Sequence, residues 1–130
     1  METSLELIVR STEIDFLGHV NNAKYLEYME WGREGWFRKA DFNFEKMIST
    51  GIGTVSARIE INYHRELRLG DKMILKTWPE DRGRSSFVLK QELYKDNGQV
   101  LVSDARVTMV MINLKERKSV PIPEEILPHL

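Results

Sequence analysis

The chain has 130 residues, 42% of them hydrophobic and 30% charged, with a formal net charge of −1. That is enough chain for one well-formed core but not two, and its balanced charge asks for neither a nucleic-acid nor a membrane partner. It contains no cysteine, which excludes disulfides and thiolate metal sites and fits a reducing compartment, with the cytoplasm as the default location.

The opening METSLELIVR has neither the basic start nor the apolar stretch of a signal peptide, and no apolar run reaches membrane-spanning length. Residues 5–10, LELIVR, read as a strand, which the polar segment 11–22 interrupts. A helix is expected over residues 23–40, where Leu26, Met29, Trp36, Phe37 and Ala40 recur at three- and four-residue intervals behind a cap offered by Asn21 or Asn22. Gly32 and Gly35 each cost an exposed helix about 1 kcal/mol relative to alanine. Their presence implies close backbone approach to a curved sheet or to a twin helix, or else a kink. Residues 41–53, with Phe42, Phe44, Met47 and Ile48, suggest a short amphipathic turn or helix.

From Thr54 the pattern changes to period two, in VSARIEINY, KMILKTWPE, SFVLKQELY and VLVSDARVTMVMI. The intervening turns are Leu69-Gly70-Asp71, Asp81-Arg82-Gly83-Arg84 and Asp96-Asn97-Gly98, the last with the Asn-Gly pair that favours a tight hairpin. An antiparallel meander is the expected connection. The tail after Asn113 carries three of the four prolines and is expected to leave the sheet as an irregular arm.

Strand, long helix and four strands describe one α+β domain over residues 1–130. A five-stranded, mostly antiparallel sheet wrapped around one long helix, the hotdog arrangement, buries both elements best. One helix covers only part of such a sheet, and several strands carry apolar residues in both alternations. A second surface should therefore be buried by self-association, with a dimer as the minimum.

Chemistry concentrates before the helix. Asp15 lies between a strand and a helix whose first turn offers unpaired N–H groups, where a carboxylate is electrostatically favoured. It either stabilises the helix start and its own turn or acts on a substrate. Gly18 allows close backbone approach to a ligand, and the N–H groups near Asn21, Asn22 and Ala23 can face a developing oxyanion. A carboxylate beside such donors suits an activated acyl group such as a thioester. His19 can orient a carbonyl, protonate a leaving thiolate or simply hold the loop. Tyr25 fits packing in the first helical turn better than chemistry. The three histidines show no metal-ligand spacing, and neither a serine elbow nor a glycine-rich phosphate loop is present. The turn from Arg82 to Ser86 suits either a phosphate-bearing handle or plain solvation. Trp31, Trp36 and Trp78 fit an acyl pocket or ordinary core.

Residues 15–25, DFLGHVNNAKY, resemble the D-x-x-G-H-V-N-N-x-x-Y signature of hotdog-fold acyl-CoA thioesterases of the 4-hydroxybenzoyl-CoA thioesterase type. Residues 62–71, NYHRELRLGD, look like the strand of that family that ends in a Gly-Asp turn, and Asp96-Asn97-Gly98 matches its late hairpin. The resemblance implies cofactor-free hydrolysis of an acyl-CoA to free acid and CoA in a homodimer, often paired into a tetramer, with sites at the subunit interface. It places Asp15 as nucleophile or general base and the Asn22 N–H on the thioester carbonyl, with Gly18 and His19 completing the loop. Asn21, Tyr25, Arg84 and Ser86 fall in the substrate-binding region, the last two near the nucleotide part of CoA. His19-Val20-Asn21-Asn22 replaces apolar and aromatic residues of the 4-hydroxybenzoyl-CoA enzyme itself. Aromatic specificity is therefore not carried over, and a long acyl chain is favoured. The rival expectations are an acyl-carrier-protein thioesterase and a non-catalytic domain that binds acyl thioesters or fatty acids. A dehydratase has less support, because no histidine and carboxylate pair is placed for abstraction and elimination.

Overall fold

The computed structural model describes all 130 residues. Its strands are β1 (Thr3–Ile8), β2 (Ile52–Tyr63), β3 (Lys72–Arg82), β4 (Ser86–Lys95) and β5 (Val100–Asn113), and its helices are α1 (Asn22–Lys39) and α2 (Phe44–Thr50). Single 3-10 turns cover Ser11–Glu13 and Leu127–His129. The strands form one sheet in the order β1-β3-β4-β5-β2, antiparallel at every pairing. With α1 against its concave face, this is the hotdog fold expected from the element order.

Helix α1 begins where the asparagine cap predicts. The Asn21 side chain accepts the Ala23 N–H at 2.9 Å, and Arg38 and Lys39 in the last turn complement the helix dipole. Its buried stripe runs through Tyr25, Tyr28, Met29, Gly32, Trp36 and Phe37. Leu26, expected on that stripe, is exposed, because the two tyrosines set the seam and leave Leu26 on its flank. Trp36 packs on Phe37 and Phe87, joining the helix to β4. At Gly32 a Cβ would stand 2.5 Å from Leu75 Cδ2 and 2.8 Å from Gln91 Nε2, so this glycine lets α1 lie directly on β3 and β4. Gly35 has no such neighbour within 4 Å, and close approach explains only the first glycine.

The meander holds for β3, β4 and β5 but not for β2. That strand pairs with the far side of β5, and β1 occupies the place beside β3. The Gly70-Asp71 turn is therefore no hairpin. It closes a strap that crosses the ends of β5 and β4, with the His64 and Arg65 N–H groups on the Val102 carbonyl and Leu67 fully buried. The Asn-Gly hairpin is present but wider than a two-residue turn, since Lys95 pairs with Val100 across four residues, three of them at positive φ. Pro79 is tolerated in β3 because β1 reaches only to Thr77. Residues 41–53 do form a short helix, α2, capped by Asn43.

The proline-rich tail does not leave the sheet. Val120 donates to the Met111 carbonyl and Ile122 to that of Arg84, and Ile122 and Ile126 are buried in the core. Prolines shape this segment without preventing its two isoleucines from covering apolar surface that would otherwise meet water.

Candidate active site

The DFLGH segment folds as a tight hairpin. Ile14 bridges Val20, Asp15 N–H donates to the His19 carbonyl at 3.0 Å, and Gly18 N–H donates to the Asp15 carbonyl at 3.0 Å. Gly18 takes φ +87°, a conformation glycine adopts without a Cβ penalty. Asp15 Oδ1 accepts the Leu17 N–H at 2.9 Å. The carboxylate thus does make a turn with its own backbone, but only one of its oxygens is engaged. Phe16 and Leu17 at the hairpin tip are 97% and 66% exposed.

Asp15 lines a cavity of about 480 Å³ with His19, Asn22 and Tyr25 from the loop and the start of α1, and with Tyr63, His64, Arg65 and Glu66 from the end of β2 and the strap. It lies where the N-terminus of α1 meets the end of β2 and the start of the strap. Tyr25 Oη donates to the Arg65 carbonyl at 3.3 Å, Tyr63 Oη donates to the Asn22 carbonyl at 3.2 Å, and the two rings meet edge to face. Burial pushes the Tyr25 hydroxyl pKa up, which keeps it protonated. The Asn22 N–H, at the first helical position, finds no acceptor in the chain. His19 Nδ1 lies 3.2 Å from the Val20 carbonyl, so its ring holds the loop. Asn21 is used as the helix cap and lies outside the cavity lining.

Other predicted residues lie elsewhere. Arg84 lies in the β3–β4 turn and Ser86 at the start of β4, whereas the cavity adjoins the far end of β4, where Lys95 Nζ donates to the Glu66 carbonyl. Ten strand residues separate those ends, roughly 30 Å, so one chain does not bring them to Asp15. Trp36 belongs to the core, Trp78 is half-buried, and Trp31 borders a different cleft beside β1. No cluster of three or more His, Cys, Asp or Glu stands close enough to hold a metal ion, and no helix is long and apolar enough to cross a membrane.

Two features escaped the sequence reading. Glu13 is buried beneath the hairpin, where its carboxylate accepts the Tyr28 hydroxyl at 2.7 Å and the Arg10 N–H at 2.8 Å, and its carbonyl accepts the Asn21 N–H. It fastens the Asp15 loop to α1. The second is a histidine and carboxylate pair. His64 Nε2 lies 2.5 Å from Asp104 Oδ2, and Asp104 Oδ1 also accepts from Lys90 Nζ at 3.2 Å and Asn62 Nδ2 at 3.1 Å. Burial pushes the Asp104 carboxyl up, but hydrogen bonds from His64, Asn62 and Lys90 outweigh it and hold the pKa below the ordinary value. The β2–β5 register, which sets Asn62 opposite Asp104, brings this pair together.

The sheet, the long helix and the carboxylate hairpin at its mouth define a hotdog-fold protein with an acidic residue at the helix entrance. The chain belongs to the Thioesterase-like superfamily, whose family model matches residues 9–130. It is 32% identical to the long-chain acyl-CoA thioesterase FadM of Escherichia coli over 126 residues, covering 97% of this chain and 93% of FadM. It is 27% identical over 122 residues to the chloroplastic acyl-acyl carrier protein thioesterase ATL3 of Arabidopsis thaliana, covering 94% of this chain and 64% of ATL3. Among solved structures, Staphylococcus aureus SAV2348 in complex with CoA superposes with a TM-score of 0.93 over 99% of this chain and 81% of its own, at 22% identity. That last likeness speaks for the fold.

Proposed function

We propose that this chain hydrolyses an acyl-CoA thioester to the free acid and CoA, with Asp15 as nucleophile or general base and the Asn22 N–H polarising the thioester carbonyl. One observation carries the reading: a carboxylate with a free oxygen and a helix-start N–H without an acceptor border the same cavity. The identity with FadM supports a long acyl chain as the substrate class. The DFLGHVNNAKY signature supports the narrower likeness to the 4-hydroxybenzoyl-CoA thioesterase type without its aromatic substrate.

The same reading includes a homodimer, which can pair again into a tetramer. The outer edge of β2 is unpaired along 12 residues, and Val55 and Ile59 on that strand are exposed. An edge of this length is commonly covered by a second copy. A partner subunit also offers the route by which Arg84 and Ser86 meet the nucleotide part of CoA at a neighbour's Asp15. The similarity to ATL3 favours acyl-carrier-protein thioesters as a second substrate reading.

The test is thiol release from a panel of short, long and aromatic acyl-CoA esters, with an acyl-carrier-protein ester in competition, beside Asp15→Asn. Asparagine retains an oxygen for the Leu17 N–H, so the hairpin persists. Turnover of a long-chain ester that falls by about 10²-fold or more in the variant supports the proposal. Equal turnover by variant and parent removes Asp15 from the chemistry. Binding of the ester with no turnover leaves the non-catalytic alternative.

A further inference from the structure

The cavity that holds Asp15 contains a second group suited to moving protons. His64 also lines it, and its Nε2 is fixed on Asp104. Asp104 is itself fixed by Asn62 beside His64 on β2 and by Lys90 on β4. The histidine backbone is anchored too, since its N–H donates to the Val102 carbonyl and its carbonyl accepts from Arg65 Nη1 at 2.8 Å. With Nε2 engaged, Nδ1 is left without a partner in the chain. A carboxylate on one ring nitrogen fixes the tautomer and orientation of the imidazole and stabilises its charged form when it takes a proton at the other. Electrostatics on the cavity side are mixed. Asp15 and Glu66 are acidic, Arg65 and His19 are basic or neutral, and Arg68 holds the Glu66 carboxyl below its usual pKa.

Base strength separates the two groups. A carboxylate is a weaker general base than an imidazole, which is suited to removing a proton from water. A carboxylate is nonetheless a competent nucleophile toward a thioester held on an N–H donor. The two side chains therefore suit different halves of one hydrolysis.

We infer that His64, oriented by Asp104, is the proton-transfer group for water attack when Asp15 acts as the nucleophile of the reaction proposed above. The inference rests on the thioesterase reading above and assigns its two steps. In the first, an Asp15 carboxylate oxygen forms a bond to the thioester carbon, the C–S bond breaks, and CoA departs as thiolate with the acyl group held on Asp15 as an anhydride. In the second, a water oxygen attacks the anhydride, directly or through one further water His64 Nδ1 takes the proton, and the acyl–Asp15 bond breaks to regenerate the carboxylate. The imidazolium then returns its proton to the thiolate or to solvent. The sum is one ester and one water giving one acid and one thiol.

Rapid-mixing thiol release distinguishes this division of labour from a purely structural ion pair. His64→Gln, whose amide still reaches Asp104, is expected to release a rapid burst of thiol equal to the number of sites. Steady turnover should then be slower by about 10²-fold or more. Asp15→Asn is expected to give no burst. Asp104→Asn keeps the imidazole but not its charged partner, and should show the same burst with a smaller loss. Unchanged turnover in His64→Gln, or a loss without the burst, overturns the assignment while leaving the Asp15 proposal intact. A parent that hydrolyses no ester overturns both. Circular dichroism of each variant identifies a failed fold, in which case Asp104→Asn decides.

Discussion

Replacing each helical glycine by alanine separates a packing requirement from a propensity cost. In the interior of α1 both substitutions gain about 1 kcal/mol of helix propensity, so their difference isolates what the new methyl group meets. At Gly35 it meets nothing within 4 Å. At Gly32 it would stand 2.5 Å from Leu75 Cδ2, 2.8 Å from Gln91 Nε2 and 3.1 Å from Thr77 Oγ1. Those atoms have little room to retreat. Leu75, Thr77 and Gln91 are all at most 1% exposed, and Gln91 is held by hydrogen bonds to the Met29 carbonyl, Thr77 and Arg33. Overpacking a site of this kind costs about 1–3 kcal/mol. Gly32→Ala should therefore lie below Gly35→Ala by that amount, or by roughly 4–12 °C in Tm at about 4 °C per kcal/mol for a chain of this length. Urea and thermal unfolding measure the gap, with light scattering to follow the oligomer. Equal stabilisation by the two alanines would refute the close contact of α1 with β3 and β4. A Gly35→Ala variant that is destabilised and dissociates would instead reveal a twin helix packed on that face.

The remaining predictions concern polar groups that hold the helix and the hairpin. Gln91→Leu strips the buried Arg33 guanidinium of its acceptor and the Met29 carbonyl of its donor, at a cost of about 1–3 kcal/mol in urea unfolding. Adding Arg33→Met should recover part of this loss, and strict additivity of the two would argue against a shared network. Tyr28→Phe removes the hydroxyl on Glu13 and should cost about 1.5–3 kcal/mol, with faster hydrogen exchange at the Asn21 amide. Unchanged exchange there would show that Glu13 does not fasten the loop. Because Asp104 has a depressed pKa, its contribution to stability is complete above the ordinary carboxylate value of about 4 and fades as the pH falls through the folded value. The stability advantage of the parent over Asp104→Asn should therefore shrink below about pH 4, and a growing advantage there would contradict the sign.

Legibility in the sequence followed the range of the interactions. The boundaries of α1 were readable because its cap, Asn21, bonds two residues away and its stripe repeats every turn. Strands β3, β4 and β5 were readable because each turn joins neighbours. Strand β2 was misplaced because its partner, β5, lies some forty residues later, and the turn that ends the strap looks locally like a hairpin. The tail misled for a related reason: three prolines speak for irregular backbone but not for the burial of Ile122 and Ile126.

The candidate site divides along the same line. Asp15, Gly18, His19, Asn22 and Tyr25 are consecutive or nearly so, and one hairpin leading into one helix brings them together; their order along the chain was almost their order in space. His64 and Asp104 are forty residues apart and become neighbours only when β5 lies against β2. No local pattern distinguishes that histidine from a solvated one. The same topology explains why Arg84 and Ser86 cannot join the site from within one chain. A sheet that carries the cavity at one end of β4 carries the β3–β4 turn at the other. If the dimer proposed above forms through the unpaired β2 edge, a second copy offers the route from Asp15 to a neighbour's Arg84.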